Sequence, residues 1–353
     1  VHDRIREALY SRIPQEERTH LHRIIVHTLE ESLPETTHQD DLLFDLAHHC
    51  ILAEDNDKII NYAFPSAMKA KEKYANEVAI RYFNIILVCL ENVSALPDVF
   101  DTGQLKIMSI ENLGEVYHTT GEYDRAIELF NSILGFIENS EEKARIYQQI
   151  SRAYFKKGDW LNCERYGKKG LSLLGEKLPT RDLPVMASIV REILSSIVHP
   201  VIAPFFPKKR TTGERDSRII WIYLDLGWSY ILSDIRKYVR TALRTQNLAL
   251  LRIGPSAHLA MAHAIFGSLW MSIGFFAKAK KRFQRSLGLY NIFTDLWGRG
   301  QTLQWLGYSC EWEADYVRCD AADHACEDGC RHGGVGGERC HQPRRRWLLR
   351  PLR

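Results

Sequence analysis

Apolar side chains recur three and four positions apart along much of this chain, the spacing that places them on one face of an α-helix. In the first stretch, Val1, Ile5, Leu9 and Ile13 are about one turn apart, and Pro14 stands where a helix would end. The following stretch, "ERTHLHRIIVHTLEESLP", predicts another helix that ends at its final proline. These patterns predict a chain that begins with α-helices.

A longer helical pattern recurs at fixed offsets. The stretch "ENLGEVYHTTGEYDRAIELF" aligns with "QQISRAYFKKGDWLNCERYG", 37 residues later, and with "AIFGSLWMSIGFFAKAKKRF" further along. The matched sets are Leu113/Ile150/Phe266, Tyr117/Tyr154/Trp270, Gly121/Gly158/Gly274 and Ala126/Cys163/Ala279, with Gly114/Gly267 and Phe130/Phe283 shared by two copies. Internal spacing shared in this way indicates a repeated structural unit.

The repeated unit is predicted to be two antiparallel helices, here called helix A and helix B, joined by a turn that contains glycine. Ala126 or Ala279 on helix B allows close approach of the backbones, and Phe130 or Phe283 lies one turn further along the same face. One pair cannot bury its apolar face alone, so copies must stack. We therefore predict an all-α fold, a right-handed α-solenoid of helix pairs preceded by a few helices.

These residues resemble the tetratricopeptide repeat, whose signature has a large apolar residue, glycine and tyrosine on helix A, then alanine and an aromatic residue on helix B. Copies at 107–140 and 260–293 match well, whereas the copy at 144–177 departs from the signature on helix B. The departing residues are Cys163, Gly167 and Gly170, and half-matches occur at Ala79 with Phe83 and at Leu226, Gly227 and Tyr230. A non-repetitive helical domain is the alternative.

Three phrases resemble large signal-transduction ATPases with numerous domains. They are "HDRIREALY" near the N-terminus, "NLALLRIGPSAHLAMAH" at Asn247–His263 and "TDLWGRGQ" at Thr294–Gln301. In that family the first phrase closes a winged-helix-like element that precedes the repeats. Such chains commonly continue into a serine/threonine kinase, histidine kinase or nucleotide cyclase domain. The resemblance runs from Val1 to about Cys319.

The patterns divide the chain into five predicted segments. These are residues 1–60, a winged-helix-like end with linker helices; 61–180, tetratricopeptide-like repeats; 181–218, a proline-broken connection; 219–319, further repeats; and 320–353, a tail. Within the connection, the apolar stretch Ile193–Pro207 is predicted to be a buried helix end. Its 15 residues, three of them prolines, fall short of the roughly 20 that a membrane span needs.

Composition adds a few limits on function. Of 353 residues, 45% are hydrophobic and 26% charged, which is typical of a soluble globular chain. The small net charge of +3 gives no support for binding to nucleic acid or to a membrane surface. The short basic stretches "PKKRTTGER" and "PRRRWLLRPLR" are weak evidence for nucleic-acid binding, so nucleic acid and membrane are not among the expected partners. Eight dispersed cysteines indicate a reduced, cytoplasmic setting. The absence of an initiator methionine suggests a fragment or a processed piece.

The tail differs from the rest of the chain. A fifth repeat copy starts at "QWLGYSCEWEADYVRC" and then stops. From Asp320 to Arg353 there is no Ile, Phe, Tyr, Lys, Asn, Ser or Thr, whereas Arg, Gly, Cys and His are plentiful. We therefore expect an out-of-frame or disordered tail. Its cysteines lack the C-x2-C spacing of zinc sites, so no metal is predicted there.

Motifs for catalysis are absent from the whole sequence. It contains no G-x-x-x-x-G-K-[ST] phosphate loop, no kinase H-R-D or D-F-G and no G-x-S-x-G elbow. Histidines are frequent near the N-terminus, but none forms H-E-x-x-H, and His20, His22 and His27 fall on different faces of one helix. We therefore predict no catalytic, cofactor-binding or metal-binding residue, and a chain that is not an enzyme.

The remaining candidate site is a surface. In tetratricopeptide arrays, helix A residues beside the apolar seam line a concave groove that binds extended or helical peptides. The positions carried over to this chain are Glu111, Glu115, His118, Arg145, Gln148, Arg152 and Lys156. The alternative is that Glu111 and Glu115 merely pair with Arg145 and Arg152 across neighbouring helices.

These observations predict a non-catalytic interaction and regulatory segment, which links an upstream nucleotide switch to a downstream signalling domain. Its partners would be a protein, a peptide or neighbouring domains of the same chain. Two alternatives remain: a fragment of a kinase or cyclase whose catalytic domains are absent, and a transcription regulator of similar architecture.

Overall fold

The computed structural model describes residues 7–32, 39–92, 102–179, 181–202, 214–293 and 295–313, and within these ranges it contains helices and no β-strand. The helices are α1 (Gln15–Ser32), α2 (Gln39–Leu52), α3 (Asn56–Glu72), α4 (Asn76–Asn92), α5 (Thr102–Thr120), α6 (Tyr123–Ile133), α7 (Ser140–Lys157), α8 (Trp160–Leu173), α9 (Asp182–Ile202), α10 (Glu214–Ser233), α11 (Ile235–Leu248), α12 (Ala257–Ser272), α13 (Phe276–Tyr290) and α14 (Leu296–Trp312). The predicted all-α fold is confirmed. The tail 320–353, with its out-of-frame and metal hypotheses, lies outside the described residues.

The chain divides into two compact units, Val1–Glu138 and Asn139–Arg353. In the first unit, each of α1 to α5 packs on the next helix along the chain. In the second unit, α7 pairs with α8, α10 with α11 and α12 with α13, while α14 packs on α13 and α9 packs on α11. Contact chiefly between sequence neighbours is the arrangement of stacked helix pairs.

One turn geometry closes five of the helix pairs. Its central residue has a left-handed φ between 55° and 87°. The amide of that residue donates to the carbonyl three positions earlier, and the next amide donates to the carbonyl five positions before it, which is a Schellman motif. The central residues are Glu54, Tyr74, Gly121, Gly158 and Gly274. The predicted glycine turns are thus confirmed, and Glu54 and Tyr74 adopt the same conformation without glycine.

Glycine on helix A and phenylalanine on helix B form the packing core of two copies. A β-carbon added to Gly114 would lie 2.7 Å from Cε1 of Phe130, and one added to Gly267 would lie 2.6 Å from Cε1 of Phe283. Both phenylalanine rings are fully buried. The α5–α6 and α12–α13 pairs therefore pack in the same way, as the shared sequence offsets predict.

The α7–α8 pair places its small and large residues differently. Ser151 occupies the position of Gly114, and its hydroxyl donates to the carbonyl of Cys163 at 2.7 Å. Gly167 stands at the position of Phe130. Leu226 of α10 fills the space that the phenylalanine ring would take, and its Cδ2 atom would lie 2.8 Å from a β-carbon added to Gly167. Gly170 similarly lies against Ile222 of α10. The departure from the signature therefore allows α10 to pack closely on α8.

The two half-matches are also buried helix pairs. In α4, Ala79 and Phe83 are fully buried, and the Phe83 ring meets Phe64 of α3 edge to face with centroids 6.3 Å apart. In α10, Leu226 and Tyr230 are likewise buried, and Gly227 faces Thr241 and Tyr238 of α11. These contacts extend the repeated packing to α3–α4 and α10–α11.

Helix α12 is enclosed on every side. Every residue from Leu259 to Leu269 is buried, and the helix contacts α10, α11, α13 and α14. A helix that is apolar all round is stable only when it is surrounded in this way. It forms the centre of the second unit.

Helix α9 differs from its prediction. Residues 182–202 form one continuous helix inside the segment that the sequence assigned to a proline-broken connection. The interpretation of Ile193–Pro207 as a buried helix end is wrong for its described part, because Ile193, Leu194 and Val198 are 42% to 55% exposed. Among the described residues, the helices are too short or too polar to cross a membrane.

Helix α1 places its three histidines on two faces and not on three, because His20 and His27 are seven residues apart and lie on the same side. His20 and His27 on α1 are exposed, whereas His22 is buried. The Nδ1 atoms of His22 and His49 lie 2.8 Å apart, and Tyr10 meets the other ring nitrogen of His22 at the same distance. Burial lowers the pKa of both rings, so they are neutral near pH 7 and one donates to the other. These residues hold α1 against α2.

Candidate functional site

In the first unit, the predicted groove residues lie on α5. Glu115 forms an ion pair with Lys71 of α3, whose ammonium also donates to Asn112 Oδ1 at 2.7 Å. The His118 ring lies edge to face against Tyr123. Glu111 is only 4% exposed, so the structure places its side chain inside the unit. Glu115 and His118 therefore remain as surface candidates on this helix.

A shallow pocket opens beside this ion pair. Its volume is about 220 Å³, and it lies between α3, the start of α4 and α5. The lining residues are Met68, Lys71, Glu72, Tyr74, Asn76, Val116 and Thr119. A thioether, an aromatic ring and both signs of charge are therefore available in one concave surface, which suits a peptide side chain better than a small apolar ligand.

In the second unit, α7 carries the other predicted residues. Arg152 donates to both carboxylate oxygens of Asp225 on α10, at 3.2 Å each, and Gln148 donates to the same carboxylate at 3.1 Å. Asp225 is therefore held by two side chains of the neighbouring helix, in the fork geometry that gives arginine its specificity for carboxylates. Arg145 and Lys156 stand on α7 before and after this cluster.

Two ion pairs connect the candidate residues to neighbouring helices. Glu115 pairs with Lys71, and Arg152 pairs with Asp225. These contacts form two local networks, one within each unit. Each network joins helix A residues of neighbouring pairs, α3 with α5 and α7 with α10.

An aromatic cluster that sequence reasoning missed adjoins Asp225. Trp228 lies one turn further along α10, and its ring stacks on Trp305 of α14 with centroids 5.3 Å apart. Tyr308 then meets Trp305 edge to face at 5.9 Å. All three rings are partly exposed. Charged and aromatic groups are therefore contiguous along one surface of the second unit.

A signal for this cluster was present in the sequence. Trp228 follows Gly227 as Glu115 follows Gly114, so the half-match at α10 gives Trp228 the same register position as a groove residue. The same offset gives Tyr308, which follows Gly307 in the fifth copy. Carrying the groove positions over to every copy, rather than to two, would have found both aromatic residues.

Two buried cysteines are unreactive near neutral pH. Burial raises the pKa of the Cys50 thiol to about 12 and that of Cys163 to about 11, so neither is a nucleophile at neutral pH. Among the described residues, no group of three or more histidine, cysteine or acidic side chains is arranged to hold a metal ion. Arginine, tryptophan and tyrosine, all present in the surface of the second unit, are enriched among the residues on which binding energy concentrates in protein interfaces.

Many solved structures are similar to this chain. No protein-family model and no curated protein matches the chain. It is similar to the crystal structure of BtubC from P. vanneervenii, with 15% identity, a TM-score of 0.43, and coverage of 80% of this chain and 93% of that one. It is also similar to a signal transduction ATPase with numerous domains that has a tetratricopeptide repeat sensor, from Pyrococcus horikoshii, with 14% identity and a TM-score of 0.45. That match covers 93% of this chain, which spans 42% of the length of the ATPase.

Proposed function

We propose that this chain is a non-catalytic interaction segment that binds a peptide or a protein segment along its helix A surfaces. The observation that carries the proposal is the contiguous surface formed by Arg152, Asp225, Trp228 and Trp305 in the second unit. The fork between Arg152 and Asp225 presents charge in a fixed geometry, and the neighbouring rings offer apolar area with little loss of conformational entropy.

The first unit offers a second surface of the same kind. The pair Lys71 and Glu115 leaves both charges partly exposed beside the 220 Å³ pocket. A bound segment with its own acidic or basic side chains can exchange partners with such a pair at little cost, because exposed ion pairs contribute only about 0–1 kcal/mol to stability. The predicted residues Glu115, His118, Arg145, Gln148, Arg152 and Lys156 are the proposed contacts.

The proposed role is regulatory. The segment would couple an upstream nucleotide switch to a downstream signalling domain, either by presenting its surfaces or by changing how its helix pairs stack. The sequence phrases shared with signal-transduction ATPases support this role. Sequencing the DNA on both sides of the gene tests it: an in-frame phosphate loop upstream and an output domain downstream are expected, and their absence would remove the coupling hypothesis.

Peptide binding has its own test. Phage-displayed random peptides are selected on the purified chain, and the affinity of the selected peptides is measured by fluorescence anisotropy for the original chain and for Arg152→Ala, Trp228→Ala and Glu115→Ala. We expect at least one groove variant to weaken binding about tenfold or more, as loss of a hot-spot residue does. Arg165→Ala, an exposed arginine on α8, is the matched control. Failure to select any peptide, or equal binding by all variants, contradicts the proposal.

A further inference from the structure

Helix α9 has apolar side chains on two faces, and one of these faces is packed. Its inward face is buried against the second unit and carries Val185 and Ile189 beside the paired Glu192. Its outward face carries six large apolar side chains that are 42% to 84% exposed: Leu183, Met186, Val190, Ile193, Leu194 and Val198. A helix that is apolar all round is normally enclosed. The outward face of α9 therefore has the composition of a contact surface.

Among its described side chains, the outward face of α9 carries no unpaired charge that would oppose its burial against a partner. Arg191, at its edge, is the one charged side chain among the exposed residues between Leu183 and Val198, and it is paired with Glu192 at 3.0 Å. The two full charges at this position therefore compensate each other. Covering the face would not bury an isolated charge, which is the usual electrostatic penalty on association.

The exposed area is near what a stable dimer requires. From their exposed fractions, the six side chains present roughly 600 Å² of largely apolar surface, against about 800 Å² for each partner of a standard interface. Side chains at the rim of the helix supply the remainder in a typical interface. An apolar patch of this size is at the upper end of those on monomeric proteins, where the largest patch often serves an interaction.

The pattern of the face is approximately symmetric about Val190. Met186 and Leu194 lie four residues on either side of it, and Leu183 and Val198 lie seven and eight residues away. When two such helices pack antiparallel around a two-fold axis at Val190, Leu183 meets the partner's Val198 and Met186 meets the partner's Leu194. Self-complementarity of this kind is what a two-fold symmetric interface requires.

We propose that the outward face of α9 is the interface through which two copies of this chain form an antiparallel, two-fold symmetric dimer. This surface is separate from the helix A surfaces proposed to bind peptide. The dimer would present two peptide-binding surfaces in one particle, which increases the avidity for a repeated or dimeric partner.

Sedimentation velocity over a range of protein concentrations tests the proposal. The original chain is expected to sediment as a dimer, and Val190→Glu is expected to weaken the dimer about tenfold or more, because the two-fold axis would bury two carboxylates side by side. Leu161→Glu, which replaces a 74% exposed leucine on α8, is the matched control and should leave the dimer unchanged. A monomer at every concentration, or a Val190→Glu chain that dimerises normally, overturns the proposal.

Cysteine pairing tests the geometry without adding charge. In a background with Cys319, Cys326, Cys330 and Cys340 replaced by serine, Val190→Cys should form a disulfide-linked dimer with itself. Leu183→Cys and Val198→Cys should each cross-link weakly alone and efficiently when mixed. Cross-linking of Leu183→Cys with itself, in preference to the mixed pair, would show a parallel arrangement and contradict the two-fold axis at Val190.

Discussion

Gly267 on α12 lies beneath the ring of Phe283 on α13, so close that a β-carbon on the glycine would stand 2.6 Å from Cε1 of the ring. Gly114 and Phe130 have the same relationship on α5 and α6, at 2.7 Å. The two residues of each pair are 16 positions apart in the sequence. One glycine and one phenylalanine therefore set how closely the two helices of a pair approach.

Gly267→Ala should destabilise the second unit. The methyl group would overlap the fully buried Phe283 ring, at a cost of about 1–3 kcal/mol that outweighs the roughly 1 kcal/mol gained in helix propensity. All eight tryptophans follow residue 159, so tryptophan fluorescence during urea unfolding reports on this unit. Gly288→Ala on α13 is the control, because open space surrounds Gly288 and helix propensity alone should make it neutral or stabilising. Equal midpoints for the two variants would refute the steric argument.

Glu54→Gly should stabilise the first unit. Glu54 has a φ of 55°, a left-handed conformation that costs an ordinary residue about 1 kcal/mol and costs glycine little. Its side chain is exposed, so little packing is lost. The free energy of unfolding, followed by circular dichroism because this unit has no tryptophan, should rise by up to about 1 kcal/mol. Gly121→Ala, at the equivalent turn with a φ of 87°, should lower it by a similar amount.

His263 should make the second unit sensitive to acid. Burial, followed by the charges of Arg282 and Arg285, lowers the pKa of His263 to about 4, whereas its value in an unfolded chain is near 6.5. Between these two pKa values, His263 is protonated in the unfolded chain and neutral in the folded chain. The free energy of unfolding therefore falls as the pH drops from about 6.5 to 4.

The difference between the two pKa values of His263 lowers the free energy of unfolding by up to about 3 kcal/mol at pH 4. Urea unfolding of His263→Gln, followed by tryptophan fluorescence at several pH values, should show a shallower loss of stability than the original chain below pH 6.5. Parallel stability curves for the two proteins would show that another group is responsible.

Cys163 should resist alkylation while the protein is folded. Its side chain is fully buried, and burial raises the pKa of the thiol to about 11, so the reactive thiolate is scarce at pH 8. Brief treatment with iodoacetamide followed by peptide mass mapping should show modification of Cys163 only after urea is added. The same raised pKa predicts that stability declines above pH 9, where the thiol ionises first in the unfolded chain. Rapid labelling of Cys163 under native conditions would contradict its buried position.

Local regularity explains which parts of the fold could be predicted. Offsets shared between copies predicted the Ala126 and Phe130 packing, because helix geometry converts sequence spacing directly into contact. The partner of Arg152 could not be predicted, since Asp225 is 73 residues away and is brought near only by stacking of α7 on α10. The left-handed turns at Glu54 and Tyr74 could not be predicted, because glutamate and tyrosine rarely adopt a positive φ, whereas glycine commonly does.

Helix α9 shows a further limit of sequence reasoning. Periodicity identified an apolar helix end there, but both of its faces are apolar, and the sequence does not tell which one packs inward. Burial of Val185 and Ile189 and exposure of Leu194 became evident only in the folded arrangement. Similarly, Glu111 was predicted to line the groove, but its side chain is buried inside the first unit.

The enclosure of α12 has a consequence for synthesis on the ribosome. Its uninterrupted apolar surface is covered by α10 and α11 before it and by α13 and α14 after it. As the chain leaves the exit tunnel, α12 emerges while α13 and α14 are still inside the tunnel. The nascent second unit thus exposes this apolar helix until α13 and α14 have also emerged, and chaperones that bind extended apolar segments would find their target there.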